Sequence, residues 1–426
     1  MNSTWKIILA FLIALNASHV AWATEPQDQS GVNFTLEIFG NANLDDRIDE
    51  KDIIYVQDII NGENDPSDLA DANQDNKIDQ MDISQIKDII NGAESNIFYI
   101  NVNGDVAKVK HPLNRIVIVY DNTAEIIRIL GAQSKVVGVD SNGGSSIHDY
   151  PTYFAEFNKT PSIGNRKDCD VEAILELKPD AVIVHAKNEM GCPGIEQKLE
   201  SSNIDVVRLG TWESNTAVPS LMILAYMLDG VDNAFKYRDW QKQYLDMVKE
   251  RVSNIPYEDR LRVFVDRPGN TTVSKGSGYS EAVEMAGGIN IAADLIGGFE
   301  NVLPSVDPEW VLEQNPDAII GLSWYGGYES DNLSVLKTRY DQIMNATGIS
   351  NLNAAKDNKV FVTYYINTLG PGYHIGVLYF AKWLYPELFE DLDPMAVHQE
   401  YIDEFQHVDY DLKEHGVFVY PATGEE

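Results

Sequence analysis

Two polar stretches thirty residues apart, NANLDDRIDEKD (41–52) and DANQDNKIDQMD (71–82), are each followed by an apolar run, IIYVQDIING (53–62) and ISQIKDIING (83–92). Ile53, Val56 and Ile59–Ile60, like Ile83, Ile86 and Ile89–Ile90, recur at the spacing of one helix face. Asn61-Gly62 and Asn91-Gly92 are stop signals. From residue 97 the pattern switches to short apolar strands alternating with helices. RIVIVY (115–120) precedes a helical TAEIIRILGA (123–132), and KVVGVDS (135–141) is a further strand. DVEAILELKPDAVIVHA (170–186) reads as helix, turn and buried strand, followed by helix IEQKLES and strand IDVVRLG. A second series comprises LRVFVDR (261–267), YSEAVEMAGG, DPEWVLEQNPDAIIGLSWYGG (307–327) and KVFVTYY (359–365). Such alternation predicts parallel βαβ units.

Between the series, residues 216–254 read as one long helix with Trp240, Tyr244, Met247 and Val248 on a single stripe. The echo between VEAILELKPDAVIV and EWVLEQNPDAIIG predicts two related lobes. Their strand ends should face a shared cleft, where ligands of α/β sheets bind. The expected architecture is therefore α/β: two Rossmann-like lobes joined by a long helix, behind a small all-α module.

The chain of 426 residues carries a formal net charge of −34, which argues against nucleic acid as a partner. About a third of that excess lies at 34–94, with 16 acidic and four basic side chains. Residues 1–23 read as a secretory signal, with Lys6, the apolar IILAFLIALNA and the cleavage site Ala21-Trp22-Ala23. The expected product is exported to the cell surface or beyond and does not span a membrane. Cys169 and Cys192 lie far from that cleavage site, so no cysteine-linked lipid anchor is expected; they either pair or remain as buried thiols. Asn33, Asn158, Asn270, Asn332 and Asn345 head N-x-S/T triplets that permit glycosylation.

The repeated loops place oxygen donors at positions 1, 3, 5, 9 and 12: Asn41, Asn43, Asp45, Asp49 and Asp52, then Asp71, Asn73, Asp75, Asp79 and Asp82. Calcium takes six to eight hard oxygens, and Arg47 and Lys77 at position 7 would add backbone carbonyls. Asp46 and Asn76 replace the usual glycine at position 6 and tolerate left-handed backbone. Ile48 and Ile78 at position 8 are apolar plugs. On these residues the segment 34–94 resembles a type I dockerin, a paired F-hand domain. The resemblance implies two Ca2+ sites and a cohesin-bearing surface partner. Asn41 implies a weaker first site, and the unlike pairs Glu50-Lys51 and Gln80-Met81 imply non-equivalent binding faces.

The residues that should line the cleft are Tyr120, Asp121, Asn142, Arg166, His185 and Lys187 on the first lobe. On the second they are Asp266, Arg267, Lys275, Trp324, Tyr325, Tyr364 and Tyr365. Arginine forks suit anionic oxygens, and aromatic faces add area. One of Tyr364 and Tyr365 should point into the core, and His374 of GPGYH should sit in a loop over the cleft. RIVIVYDNTAEIIRILGAQSKVVGVDS, PSIG, DVEAILELKPDAVIV, VEMAGGINIAADL and DPEWVLEQNPDAII together resemble the class III substrate-binding proteins of ferric-siderophore and cobalamin ABC importers. That resemblance implies a first lobe at 97–215, a rigid inter-lobe helix at 216–254, a second lobe at 259–390 and a tail at 391–426. It implies permease docking through Glu172 and Glu309. The expected function is capture of an iron chelate and its delivery to an ABC permease. Asn142, Arg166 and His185 depart from the corrinoid-stacking positions. Cobalamin, a molybdate-like oxyanion, a cohesin-held structural module and a chelatase-like enzyme are the alternatives. No G-x-S-x-G elbow, HExxH or phosphate loop supports catalysis.

Overall fold

The computed structural model describes residues 34–298, 301–365 and 369–421. The secretory signal, Asn33 and the last five residues lie outside them. Helix α1 (Glu50–Asn61) and helix α2 (Gln80–Ile90) each begin three residues before the apolar run that predicts them. The reason is a capping box inside each loop. The Asp52 carboxylate accepts Asp49 N–H at 2.8 Å, and the Asp49 side chain accepts Lys51 N–H at 2.8 Å. Asp79 and Asp82 repeat the pattern. A hairpin that the sequence pattern did not disclose follows, β1 (Ser95–Ile100) against β2 (Val106–His111), with Ile38 bridging Tyr99.

The first lobe contains β3 (Ile116–Ile118), α3 (Asp121–Ile129) and β4 (Val136–Val139). A small hairpin, β5 (Gly164–Asn165) and β6 (Asp168–Cys169), leads to α4 (Val171–Leu177), β7 (Ala181–His185), α5 (Ile195–Leu199) and β8 (Asp205–Leu209). Its sheet runs β4-β3-β7-β8, all parallel. Two helices follow, α6 (Ser214–Met227) and α7 (Val231–Ser253). The single helix expected over 216–254 is thus broken at 228–230. Asp229 takes φ 60°, and Gly230 packs so closely that a Cβ there would lie 2.9 Å from Leu130. Of the two, α7 carries the chain from the first lobe to the second, with Trp240 and Val248 buried on its inner stripe.

The second lobe has β9 (Arg262–Asp266), α8 (Gly278–Met285), β10 (Ile289–Asn290) and α9 (Pro308–Gln314). It continues through β11 (Ala318–Ser323), α10 (Ser334–Met344), α11 (Asn353–Lys356), β12 (Val360–Tyr364) and α12 (Tyr373–Leu384). The tail forms α13 (Pro394–Tyr401), a π-turn over 402–406, and β13 (Val419–Tyr420). The second sheet runs β10-β9-β11-β12-β13, parallel except for β13. The sequence echo is a backbone echo as well. Helices α4 and α9 start on Asp170 and Asp307 caps and end on left-handed Lys178 and Asn315. The Pro-Asp carboxylates then close each turn, Asp180 accepting Arg115 N–H at 2.8 Å and Asp317 accepting Arg262 N–H at 2.9 Å.

The N-terminal module shares one core with the body. Ile38, Val56 and Ile86 pack in the same buried cluster as Val109, Leu113 and Tyr226. Ile48 N–H donates to the Tyr226 hydroxyl at 2.8 Å, and Arg47 pairs with Asp232 at 3.3 Å. The tail in turn bridges the lobes: β13 pairs with β12, while Gln406 reaches α3, donating to Glu125 O at 3.4 Å.

Beneath the tail, Glu125 accepts the Tyr153 hydroxyl at 2.9 Å, and Tyr153 stacks on Tyr328 of the other lobe with centroids 3.7 Å apart. Arg128 beside it is paired with Glu156 at 2.6 Å. Burial pushes the Glu125 carboxyl up to about 7 from 4.5. The folded state therefore binds more protons than the unfolded state between those values, and this group's effect on stability worsens as pH rises through that window. Glu125→Gln should leave stability nearly unchanged at pH 4 and raise it by about 3 kcal/mol at pH 8. Urea melts at the two pH values test this, and an equal effect at both would refute it.

Candidate functional site: the inter-lobe cleft and the paired loops

The cleft opens where β3 passes into α3. Tyr120 makes this turn at φ 81°, a strained conformation for a bulky residue. Three side chains gather on its ring. The Arg166 guanidinium lies 4.6 Å from the centroid, His185 packs at 5.3 Å and Trp212 at 6.5 Å. Arg166 is carried by the turn between β5 and β6, and donates to the Gly143 and Gly144 carbonyls. His185 ends β7, and its Nδ1 accepts Lys187 N–H at 3.0 Å. This assigns the ring proton to Nε2, which is buried and without a partner among the described residues. Burial keeps His185 below its ordinary pKa, with Glu213 opposing the shift and Lys187 and Arg166 adding to it.

On the second lobe, Arg267 stacks on Trp324 at 4.7 Å, and Trp324 meets Tyr365 at 5.1 Å. The lobes touch where the Tyr365 hydroxyl lies 2.9 Å from Ser145 Oγ and 3.4 Å from the Tyr150 hydroxyl. Glu329 also crosses, accepting Thr152 and Tyr153 N–H at 2.9 Å each. The lobes thus meet in a closed arrangement. Tyr120 Oη, with Arg166 Nε and His185 Nε2 beside the same ring, and Arg267 Nε against Trp324 on the other lobe, are buried without a hydrogen-bond partner among the described residues. Buried polar atoms left this way cost stability unless something accepts from them. Asp121, fully buried and close to Glu125, is held well above its usual carboxylate range by desolvation first and Glu125 second.

Some expected site residues go elsewhere. His374 lies in α12, not in a loop; it is fully buried against Trp240 at 4.9 Å, and desolvation lowers it to about 3. Tyr364 is the tyrosine that points inward, and Tyr365 is the one facing the seam. Asp266 takes Arg339 as its partner at 2.7 Å and leaves Arg267 to the aromatic stack. Lys187 turns toward Glu213 at 3.7 Å. Lys275 is exposed and its charge acts on Glu284; Asn142 is exposed and bonds to Ser141 and Asp149. Tyr325 is 72 % exposed at the rim. Glu172 and Glu309 are exposed in the first turns of α4 and α9. Trp212, Ser145 and Tyr150 belong to the site although the sequence reading passed them over. Trp212 follows β8 directly, so the strand-end rule applied to IDVVRLGTW would have found it.

The family model described as periplasmic binding protein matches residues 116–364. The chain belongs to this family. Its two-lobe fold is also that of a TroA-like periplasmic binding protein, FepB, from Veillonella parvula. That structure is 21 % identical with a TM-score of 0.62, over 76 % of this chain and 98 % of that one. The molybdate-binding protein MolA of Haemophilus influenzae is 27 % identical over 339 residues, 70 % of this chain and 87 % of MolA. A vitamin B12-binding protein of Vibrio cholerae is 26 % identical over 212 residues, 49 % of this chain and 70 % of that protein. As a periplasmic binding protein the chain is the substrate-binding, non-enzymatic component of an ABC importer, with a ligand and a permease as partners. The family works in the periplasm or outside the cell. Among the described residues no helix is long and apolar enough to cross a membrane.

The paired loops repeat one hydrogen-bond pattern. Asn43 Oδ1 accepts Asp45 N–H and Asp45 accepts Arg47 N–H, as Asn73 does for Asp75 and Asp75 for Lys77. Asp46 and Asn76 take left-handed φ of 67° and 68°. Asp52 and Asp82 are fully buried beneath their loops, and burial pushes Asp52 up to about 6. Asn41 is fully buried, with its Oδ1 unpartnered among the described residues. Among the described residues no group of three or more acidic, histidine or cysteine side chains is gathered so as to hold a metal ion. Lys51 reaches back to Asp45 at 3.1 Å in the first loop only, which sets the two loops apart.

Proposed function

We propose that the cleft captures a compact oxyanion of the molybdate type and delivers it to the permease. The observation that carries this reading is the set of four buried, unpartnered donors, two of them on guanidinium groups, on the two lobes that meet at the Tyr365–Ser145 contact. A tetrahedral oxyanion offers several acceptors within a few ångströms and needs little room, whereas a corrinoid would have to separate Tyr365 from Ser145. MolA, similar over most of its length, is named for molybdate binding. A ferric chelate is the second reading, favoured by the exposed Trp324 and Tyr325 at the rim. Isothermal titration of the purified chain with molybdate, tungstate, sulfate, ferric chelates and cobalamin tests it. Micromolar or tighter binding of molybdate or tungstate, with sulfate and cobalamin weaker, is expected. Binding of a ferric chelate alone would transfer the assignment to the second reading.

Glu172 and Glu309 dock the permease, one from each lobe, at the helix starts that the echo relates. The N-terminal module acts as a dockerin: Asn41, Asn43, Asp45, Asp49 and Asp52 hold one Ca2+, and Asp71, Asn73, Asp75, Asp79 and Asp82 a second. The carbonyls of Arg47 and Lys77 complete the sets. The calcium ties the loop backbone together by neutralising crowded carboxylates. The exposed Glu50-Lys51 and Gln80-Met81 face a cohesin-bearing surface partner, so the receptor works tethered at the cell surface after removal of its signal.

A further inference from the structure

We infer that the Cys169–Cys192 disulfide is a positioning element of the anion site, holding the Arg166 and His185 donors in one frame. The inference rests on the oxyanion reading of the cleft. The two cysteines, 23 residues apart in sequence, join the β5–β6 hairpin to the loop that follows β7. That hairpin is minimal: Gly164 pairs with Cys169 and Asn165 with Asp168, and Arg166 sits in the turn they close. Beyond this ladder, the Arg166 carbonyl accepts Cys192 N–H at 2.6 Å. The cross-link lies beside that bond.

The other end of the link is anchored firmly. Arg208 of β8 donates to the carbonyls of His185 at 3.0 Å and Gly191 at 2.9 Å, and to Asn188 Oδ1 at 3.0 Å. Its remaining donors hold Glu196 of α5, one of them at 3.1 Å. Gly191 packs onto His185 so tightly that a Cβ would lie 2.6 Å from His185 N. The loop is thereby fixed to the strand that ends in His185. The disulfide transmits this fixed frame to the Arg166 turn, whose side chain reaches over Tyr120 to the Gly143 and Gly144 carbonyls. Two donors from distant segments hold their separation through one covalent bond. Both cysteines pack in the same buried cluster as Tyr120, and their hydrogen-bonded route to the seam donors runs through Arg166.

The test is a thermodynamic cycle on the full chain. Cys169→Ser/Cys192→Ser should weaken molybdate binding roughly ten- to a hundredfold, by analogy with the loss on removing groups that orient a metal ligand. In an Arg166→Ala background the same double change should alter affinity by less than about twofold. Equal losses in both backgrounds would mean that the cross-link acts through general lobe stability, and would overturn the inference. Hydrogen exchange on the unliganded protein is the arm that does not depend on the ligand. Amides at 164–169 and 186–194 should exchange faster in the double variant while those of β7 stay protected. Unchanged exchange there would overturn the inference even if no oxyanion binds, whereas faster local exchange without any oxyanion binding would leave the positioning role and remove the ligand assignment. Should the double variant not fold, reduction of the folded wild type by a water-soluble phosphine gives the same two-thiol state. In that step the phosphine becomes its oxide, taking oxygen from water, and each sulfur gains a proton.

Discussion

Replacing Arg166 by alanine is expected to lower oxyanion affinity by roughly 2–5 kcal/mol, about 30- to a few thousandfold, the cost of truncating one partner of a buried charged contact. The size follows from its surroundings. The side chain is 8 % exposed, its Nε has no partner among the described residues, and its charge acts on His185, Asp121, Asp140 and Tyr365 together. A ligand anion held there exchanges little of its attraction with water. Arg166→Lys should also bind poorly, because an ammonium cannot hold both glycine carbonyls through one nitrogen, as Nη1 does, and keep a second, separate donor free in Nε. The loop carrying Gly143, Gly144 and Ser145 is fastened by the same guanidinium, so part of the loss reflects the seam contact to Tyr365. Calorimetric Kd values beside melting temperatures of the unliganded variants separate the two. An Arg166→Ala protein that binds molybdate as tightly as the wild type would remove the proposed site altogether.

How far the sequence foretold this site depends on which force placed each residue. Strand ends in a parallel sheet point to one edge, so Tyr120, His185, Arg267 and Tyr365 were legible from βαβ grammar alone. The repeat of Pro-Asp after α4 and α9 was legible for the same reason: a local hydrogen bond to the neighbouring strand requires it. Features set by tertiary packing were not. His374 follows Gly-Pro-Gly, which reads as a loop, yet YHIGVLYFAKWL is apolar on every side and becomes the buried helix α12. The break at 228–230 depends on contact with Leu130, a hundred residues away. Asn142 follows β4, yet its backbone N–H goes to Asp149 and its side-chain amide to Ser141, while Lys275 is exposed with its charge acting on Glu284. The acidic tail hid its bridging role behind its charge, since Tyr401, Phe405 and Phe418 are spaced too irregularly to show a face.

Calcium should stabilise the whole chain, and not the N-terminal module alone. The module's Ile38, Val56 and Ile86 share a core with the body, and its first loop is bonded to Tyr226 and Asp232 at the α6–α7 corner. Unfolding of one therefore exposes surface of the other. Binding to the folded state only would add about 2.7 kcal/mol per site at a hundredfold excess of free ion over Kd. Transferring the purified protein from calcium to EDTA should then lower the melting temperature by several degrees in a single cooperative transition. The second loop should supply the larger share. It begins with Asp71, whose carboxylate accepts Asp75 N–H at 3.1 Å and Asn76 N–H at 2.9 Å, while the first begins with a neutral Asn41 and has Lys51 competing for Asp45. Asp71→Asn, which copies the first loop's opening residue into the second, should keep the metal-free fold and shrink the calcium-dependent shift. If EDTA leaves both the melting temperature and the helical circular-dichroism signal where they were, the loops hold no structural calcium and their carboxylates serve only to cap α1 and α2.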